Sequence, residues 1–239
     1  MALGAWSGAL FVEFSFDLFY HFSTVVAGAL LVTIWFSKRL VHDKPDPSIK
    51  HEGPLFRMPN GALVRIGIIA FCCMLAEGSM ADWSVNYMEN VVHTSKTLAP
   101  IALSTFATAM TLGRIFGDKA RAMFGDWKLI IAGGLVSTSG LCAALVFPEA
   151  GIVIAGSFFV GLGLSVIVPI TYSIAGGTKD LPSGVGLAMV TTVGYTGFLL
   201  GPPVIGFIAD WQNLRIALVV VAFLLFVMTL LGIFHNRKV

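Results

Sequence analysis

The feature that most constrains this chain is a series of apolar runs separated by short polar stretches. Eight runs are found, and seven are long enough to cross a hydrocarbon core of about 30 Å as a helix rising 1.5 Å per residue. A membrane-spanning helix satisfies all of its backbone hydrogen bonds internally. The pattern therefore predicts an all-α integral membrane protein with seven to eight transmembrane helices. The runs are Ala2–Val12 (the short one), Leu18–Leu40, Leu63–Met80, Leu98–Phe116, Leu129–Phe147, Gly151–Ala175, Val185–Ala209 and Ile216–Phe234.

Composition agrees with a membrane location and excludes several other classes. Of the 239 residues, 56% are hydrophobic and 12% are charged, whereas soluble domains carry about 25% charged residues. The net charge of +2 is too small for a nucleic-acid-binding surface, so no nucleic-acid partner is expected. No catalytic triad, phosphate-binding loop or Cys/His metal spacing is present, so neither an enzyme nor a bound metal or cofactor is predicted.

The distribution of Lys and Arg predicts the orientation in the membrane. If the polar stretch before residue 62 is cytoplasmic, thirteen of the fifteen basic residues lie inside, and only Lys96 and Arg215 lie outside. Cytoplasmic loops of membrane proteins carry such an excess of positive charge. We therefore expect a multi-pass protein with both termini in the cytoplasm.

A polar stretch rich in proline divides the chain. Residues 41–61 contain four of the ten prolines and indicate an irregular linker, with two apolar segments before it and six after it. Six segments can form one half of a transporter, built from two inverted triplets. A short echo favours such a repeat, because a glycine-containing run precedes Asp126-Trp127 and another precedes Asp210-Trp211.

Three motifs resemble those of the major facilitator superfamily. Gly113–Lys119 (GRIFGDK), with a glycine and a lysine after it, resembles the cytoplasmic signature of that superfamily. Its spacer is one residue longer, and Asp126-Trp127 interrupts the usual basic pair. Ala76–Trp83 (AEGSMADW) and Gly194–Gly206 (GYTGFLLGPPVIG) resemble the fucose-permease-like branch of its bacterial permeases.

The resemblance covers nearly the whole chain and implies a major-facilitator-type helical bundle that is incomplete. Residues 1–40 would be the last two helices of the N-terminal half, residues 41–61 the central cytoplasmic linker, and residues 62–239 the six-helix C-terminal half. Four helices of such a permease have no counterpart, so the missing N-terminal helices or a second copy are expected as partners. The implied location is the lipid bilayer of a bacterial inner membrane.

Glu77 is the sharpest candidate for a substrate or proton site. A carboxylate in an apolar segment must face a cavity or a partner, because lipid exposure costs at least about 2.5 kcal/mol. With the segment ending near Met80, Glu77 is expected about 7.5 Å below Asp82 at the outer helix end, so a packing role near the interface is the alternative. Trp83 has a ring that can stack on a sugar, although an interfacial anchor is the commoner role of tryptophan.

Hydroxyl groups extend this candidate site. Thr108 shares a helix face with two other hydroxyl residues, and Thr191 shares a face with Tyr195. These groups suit a polyol, whereas the alternative is that threonine hydroxyls bond to carbonyls of their own helix. Small residues on the neighbouring face predict a tight packing groove formed by Gly194, Gly197 and Gly201.

The cytoplasmic motif predicts a gate. Arg114 precedes Asp118 by one helical turn, a spacing that allows an ion pair. In the superfamily this cluster clamps cytoplasmic helix ends and biases the conformational equilibrium. The resemblance therefore assigns a gate to Gly113, Arg114, Gly117, Asp118 and Arg121, with an ordinary interfacial charge cluster as the alternative.

Prolines within two apolar segments predict helix bends. Pro169, Pro202 and Pro203 each remove a backbone donor and clash with the preceding turn. Such bends are either flexing points for alternating access or fixed kinks. Taken together, these features predict a secondary active transporter for a small polar solute such as a sugar, with proton coupling through Glu77 as a hypothesis. The alternative is a non-transporting receptor or assembly protein on a permease scaffold.

Overall fold

A computed structural model describes residues 18–37, 61–178 and 183–236, and the regular structure in these ranges is α-helical, as predicted. Residues 1–58 and 59–239 form separate compact units, so helix α1 (Leu18–Ser37) is described by itself. The helices of the second unit are α2 (Gly61–Asn90), α3 (Pro100–Phe124), α4 (Asp126–Val146), α5 (Ala150–Leu164), α6 (Ile167–Gly176), α7 (Ser183–Trp211) and α8 (Leu214–Asn236).

Five segments of the described residues are long and apolar enough to cross a membrane. They lie in α2, α4, α7 and α8 and in the combined length of α5 and α6. This is fewer than the predicted seven to eight. Helix α3 is not among them, and its last three turns carry the charged motif; the apolar part of α1, Phe22–Ser37, is shorter. The expected run Ala2–Val12 lies outside the described residues.

Helix α2 continues ten residues beyond the end predicted for it at Met80. The last third of this helix is polar, so the apolar run ended although the helix continued. Thirty residues span about 45 Å, more than the hydrocarbon core, so the helix extends into the polar interface. Glu77 therefore lies about 20 Å from either end of α2, and the expectation that it sits near the outer end with Asp82 was wrong.

Helix α3 is also longer than predicted, ending at Phe124 rather than at Phe116. The gate motif therefore lies entirely within the last turns of this helix. The turn into α4 is the single residue Gly125, whose φ of 80° favours glycine.

Helices α2 and α7 run parallel and pack through the predicted glycine groove, which is confirmed. A Cβ added to Gly197 would stand 2.5 Å from the Phe71 carbonyl oxygen, and one added to Gly201 would stand 2.9 Å from the Leu75 carbonyl oxygen. The paired positions rise together along both helices, which defines their common direction. Small residues allow such backbone approach in membranes, where packing rather than water exclusion holds helices together.

The same reasoning orients the other helices. Helices α4 and α5 are antiparallel. Gly140 of α4 meets Gly156 of α5, whereas Gly133, two turns earlier in α4, meets Gly163, two turns later in α5. Helices α3 and α5 are parallel, with Gly161 against Phe106 and the α3 glycines further along against the end of α5. The two predicted triplets are α2, α3, α4 and α5–α6, α7, α8. If each helix is replaced by its counterpart in the other triplet, the parallel pair α2–α7 becomes the pair α5–α3, which is also parallel. This arrangement agrees with the repeat favoured by the sequence.

The sixth predicted segment is interrupted. Helix α5 ends at Leu164, α6 begins at Ile167, and Ser165 and Val166 form the break between them. Pro169 occupies the first turn of α6, where a missing N–H costs little, and it leaves the Ser165 carbonyl without its usual i+4 donor. Helix α7, in contrast, continues through its proline pair.

Candidate functional site

Glu77 and Arg114 form an ion pair between α2 and α3. The Arg114 Nη2 donates to the Glu77 Oε1 at 3.2 Å. The Glu77 side chain is 9% exposed, whereas that of Arg114 is 49% exposed. Arg114 therefore compensates a buried charge on another helix, rather than forming its ion pair with Asp118 as the helical spacing had favoured.

A tyrosine that the sequence analysis missed lies beside this pair. Tyr172, on α6, directs its hydroxyl between α2 and α7 and donates to the Met74 Sδ at 3.4 Å. Thr191 is within hydrogen-bonding reach of the same hydroxyl, and Tyr195 and Glu77 are close enough to act on it electrostatically. No motif includes Tyr172, and the only available signal was a phenol inside an apolar run that also contains Pro169.

The structure thus brings together four polar side chains from different helices: Glu77, Tyr172, Thr191 and Tyr195. Tyr195 is half exposed, at 52%, and the others are at least partly buried. With Arg114 paired to Glu77, the formal charge of the group is zero. Such a group offers hydroxyl donors and acceptors to a neutral polar molecule.

Other predicted site residues lie elsewhere. The exposed Thr108 hydroxyl donates to the Ser104 carbonyl oxygen at 2.7 Å, which is the intrahelical alternative named above. The Trp83 Nε1 donates to the Pro202 carbonyl oxygen at 3.1 Å, and the Trp83 ring packs against Gly206. Asp82 is exposed. Solute contacts by these residues stay predictions.

The predicted gate residues surround one cavity with the α5–α6 break. The cavity, of about 60 Å³, lies between α3 and the break. A Cβ on Gly113 would collide with Ser165, and a Cβ on Gly117 would stand 2.9 Å from Val166. The two motif glycines therefore let α3 approach the interrupted backbone. The lining residues are Arg114, Gly117, Asp118, Arg121, Ser165, Val166, Pro169 and Ile170.

Arg121 connects three elements at the edge of this cavity. Its guanidinium donates to Asp126 at 2.5 and 2.8 Å, and to the Ser173 hydroxyl at 2.9 Å. The hydrogen bond with Asp126 is the main cause of a raised pKa of Arg121, and the nearby Asp118 acts in the same direction. Asp126, which interrupts the motif in the sequence, is thus the ion-pair partner of a motif arginine.

Within the described ranges, no three Cys, His, Asp or Glu side chains come close enough together to hold a metal ion. The arrangement consists instead of a polar group on α2, α6 and α7, a cavity between α3 and the helix break, and Arg114, which takes part in both.

Comparison with known proteins gives a consistent result. The family model of the Major Facilitator Superfamily matches residues 66–238. An uncharacterized MFS-type transporter of Yersinia pestis is 39% identical over 189 residues, which cover 79% of this chain and 48% of that protein. Membrane protein MosC of Rhizobium meliloti is 31% identical over 214 residues, covering 90% of this chain and 52% of that protein. This chain thus spans about half the length of the curated relatives it matches.

Solved structures show the same fold. A crystal structure of the peptide transporter POT (E310Q mutant) aligns with a TM-score of 0.67 at 20% sequence identity, covering 78% of this chain and 40% of that one. The in meso crystal structure of the POT family transporter PepTSo aligns with a TM-score of 0.66 at 15% identity, covering 76% of this chain and 38% of that one. At these identities the likeness concerns the fold alone.

Proposed function

Because the chain belongs to the major facilitator superfamily, we propose that it forms the C-terminal portion of a secondary transporter for a small polar solute. The observation that carries this proposal is the group of polar side chains around the Glu77–Arg114 ion pair. In such transporters the solute site lies near the middle of the membrane, where two repeats meet. Glu77 is central in α2, and its partners come from both triplets.

The chemistry of this group favours a neutral, hydroxyl-rich solute such as a sugar. A charged solute would meet a carboxylate and a guanidinium that already neutralise each other, so it would lack a counter-ion. The hydroxyls of Tyr172, Thr191 and Tyr195 each donate and accept hydrogen bonds, as do those of a sugar. This supports the sugar class over an anionic or cationic one.

Proton coupling is proposed through Glu77. Protonation would remove its charge and release Arg114, which is half exposed and able to reorient. Moving a proton through a buried carboxylate is a common role of ionisable residues within membranes. We propose that the cytoplasmic gate lies around the cavity at the α5–α6 break. Its residues are Gly113, Arg114, Gly117, Asp118 and Arg121.

We further propose that the chain needs a partner to transport, either N-terminal helices or a second copy. Alternating access requires two bodies that move against each other. The match covers only about half of each relative, and the remaining half would supply such a second body if it folds as the family does.

A chimera tests the function directly. The region of the Yersinia relative that precedes its match would be fused to this chain and reconstituted in proteoliposomes. Uptake of radiolabelled L-fucose, a neutral polyol, should be saturable in the chimera, lost in its Glu77→Gln variant, and absent with this chain alone. If the folded chimera takes up neither L-fucose nor dialanine, the proposed function is contradicted. Saturable uptake by this chain alone would instead indicate a working homo-oligomer.

A further inference from the structure

The Tyr172 hydroxyl has an unusually weak hydrogen-bond acceptor. It donates to the Met74 Sδ at 3.4 Å, and a thioether sulfur accepts hydrogen bonds poorly compared with oxygen. Most buried hydroxyls in this fold instead donate to a backbone oxygen of their own helix, as Ser79 does to Leu75 at 2.8 Å. A phenol held in this way is ready to exchange sulfur for a better acceptor.

Thr191 also uses its hydroxyl differently from its neighbours. Thr192 and Thr196 on the same helix donate back to carbonyls one turn earlier, both at 2.8 Å. The Thr191 side chain instead reaches the Tyr172 hydroxyl. Thr191 on α7 and Tyr172 on α6 are therefore within hydrogen-bonding reach of each other.

A glycine provides the space beside them. A Cβ on Gly194 would stand 2.8 Å from the Met74 Sδ and 3.6 Å from the Tyr172 hydroxyl oxygen. Because any side chain at residue 194 would collide with the Met74 sulfur, glycine at this position allows Met74 to lie beside the hydroxyl. Glu77 acts on the same hydroxyl electrostatically, so the phenol belongs to the ion-pair neighbourhood.

We propose that Tyr172 is a solute-binding residue that determines specificity, donating its hydroxyl proton to an oxygen of a neutral polyol in place of the Met74 sulfur. This inference rests on the proposed function and deepens it. Thr191 is a positioning residue, because its side chain lies within hydrogen-bonding reach of the phenol from the neighbouring helix. The exchange of a thioether for an oxygen acceptor strengthens the hydrogen bond only when the solute is bound, which makes the residue selective for hydroxyl-bearing solutes.

Fluorine NMR of the full chain provides the test, since the chain has four tyrosines. The protein would be labelled with 3-fluorotyrosine, reconstituted in nanodiscs and titrated to 100 mM with L-fucose or with dialanine. Chemical shifts report millimolar binding, so an incomplete cavity is sufficient. The signal of Tyr172, assigned by its loss in Tyr172→Phe, should shift with L-fucose, while that of the buried Tyr87 should not.

Two variants give the quantitative result, with the Tyr195 signal as the reporter. Tyr172→Phe should weaken L-fucose binding about tenfold, which corresponds to about 1.4 kcal/mol. Tyr87→Phe is the matched control, because the Tyr87 hydroxyl donates to the Ala144 carbonyl oxygen at 3.1 Å, and it should leave the affinity unchanged. Thr191→Val should weaken binding by a smaller factor, with the Tyr172 signal altered before any solute is added.

The outcomes separate this inference from the proposed function. A Tyr195 shift with L-fucose that is equally strong in Tyr172→Phe would overturn the role of Tyr172 and leave the transporter proposal intact. A response to dialanine without one to L-fucose would overturn the polyol specificity. If no tyrosine responds to either probe and the chimera takes up neither, both proposals fail.

Discussion

Glu77 Oε1 and Arg114 Nη2 meet at 3.2 Å between α2 and α3, and Arg114 also lines the cavity at the α5–α6 break. One guanidinium therefore lies both beside the centre of α2 and at the cavity next to the α5–α6 break. A change of charge at Glu77 alters the electrostatic field at that cavity without any movement of the backbone. This direct connection between the two proposed sites makes the pair the first target for mutation.

Removal of Arg114 should destabilise the protein more than removal of both charges. Arg114→Gln leaves the buried Glu77 carboxylate without its partner, which costs about 1–3 kcal/mol. The double variant Glu77→Gln/Arg114→Gln should recover most of this loss, because no unpaired buried charge remains. Thermal unfolding in detergent would measure the order, with the exposed Lys119→Gln on the same helix as control. Equal melting temperatures for Arg114→Gln and Lys119→Gln would show that the ion pair contributes nothing to stability.

A methyl group at Gly197 should weaken the α2–α7 contact. Its Cβ would stand 2.5 Å from the Phe71 carbonyl oxygen, so backbone must shift, at a cost of about 1–3 kcal/mol. Gly184→Ala on the same helix meets no atom within 4 Å and should be close to neutral. Detergent unfolding of both variants checks the packing, and a neutral Gly197→Ala would contradict the close approach.

Asp118→Asn in the chimera should slow solute uptake about fivefold or more while leaving L-fucose affinity unchanged. Asp118 is exposed, lies one helical turn beyond Arg114, lines the cavity and acts on Arg121. It is therefore expected to shift the balance between conformations rather than to touch the solute. Uptake rates and binding titrations separate the two effects. A loss of affinity at an unchanged maximal rate would exclude the gate role.

The proposed orientation can be tested at two exposed lysines. In a Cys142→Ser background, which removes the exposed native thiol, Lys96→Cys should react with an impermeant maleimide added outside intact cells. Lys128→Cys should react only after the membrane is opened. The native Cys72 and Cys73 are buried and should contribute little background. Reaction at Lys128→Cys in intact cells would reverse the predicted topology.

Hydropathy predicted where helices run, and the glycine spacing predicted a packing groove on α7, because both depend on patterns repeated along one helix. Helix ends were less predictable. Asp82 ended an apolar run, but backbone hydrogen bonds continue to Asn90, since a helix needs no apolar residues once it has left the hydrocarbon.

Contacts between helices were the part that sequence could not supply. The i, i+4 rule favoured Asp118 as the partner of Arg114, whereas the structure provides Glu77, 37 positions away in sequence. Tyr172 was missed for the same reason, because its partners Met74 and Thr191 lie on other helices. Asp126 was noted only as a departure from a motif, and its role depends on the tight turn at Gly125 that returns it to Arg121.

The parallel course of α2 and α7 imposes a rule of parity on this chain. Two membrane helices with a common direction must be separated by an odd number of crossings, so one crossing cannot be added or lost between residues 90 and 183 without turning α7 upside down. Such an inversion would carry Pro202 to the opposite side of the membrane from Trp83 and abolish the contact between them. Any rearrangement of this part of the chain that preserves the contact must therefore gain or lose crossings two at a time.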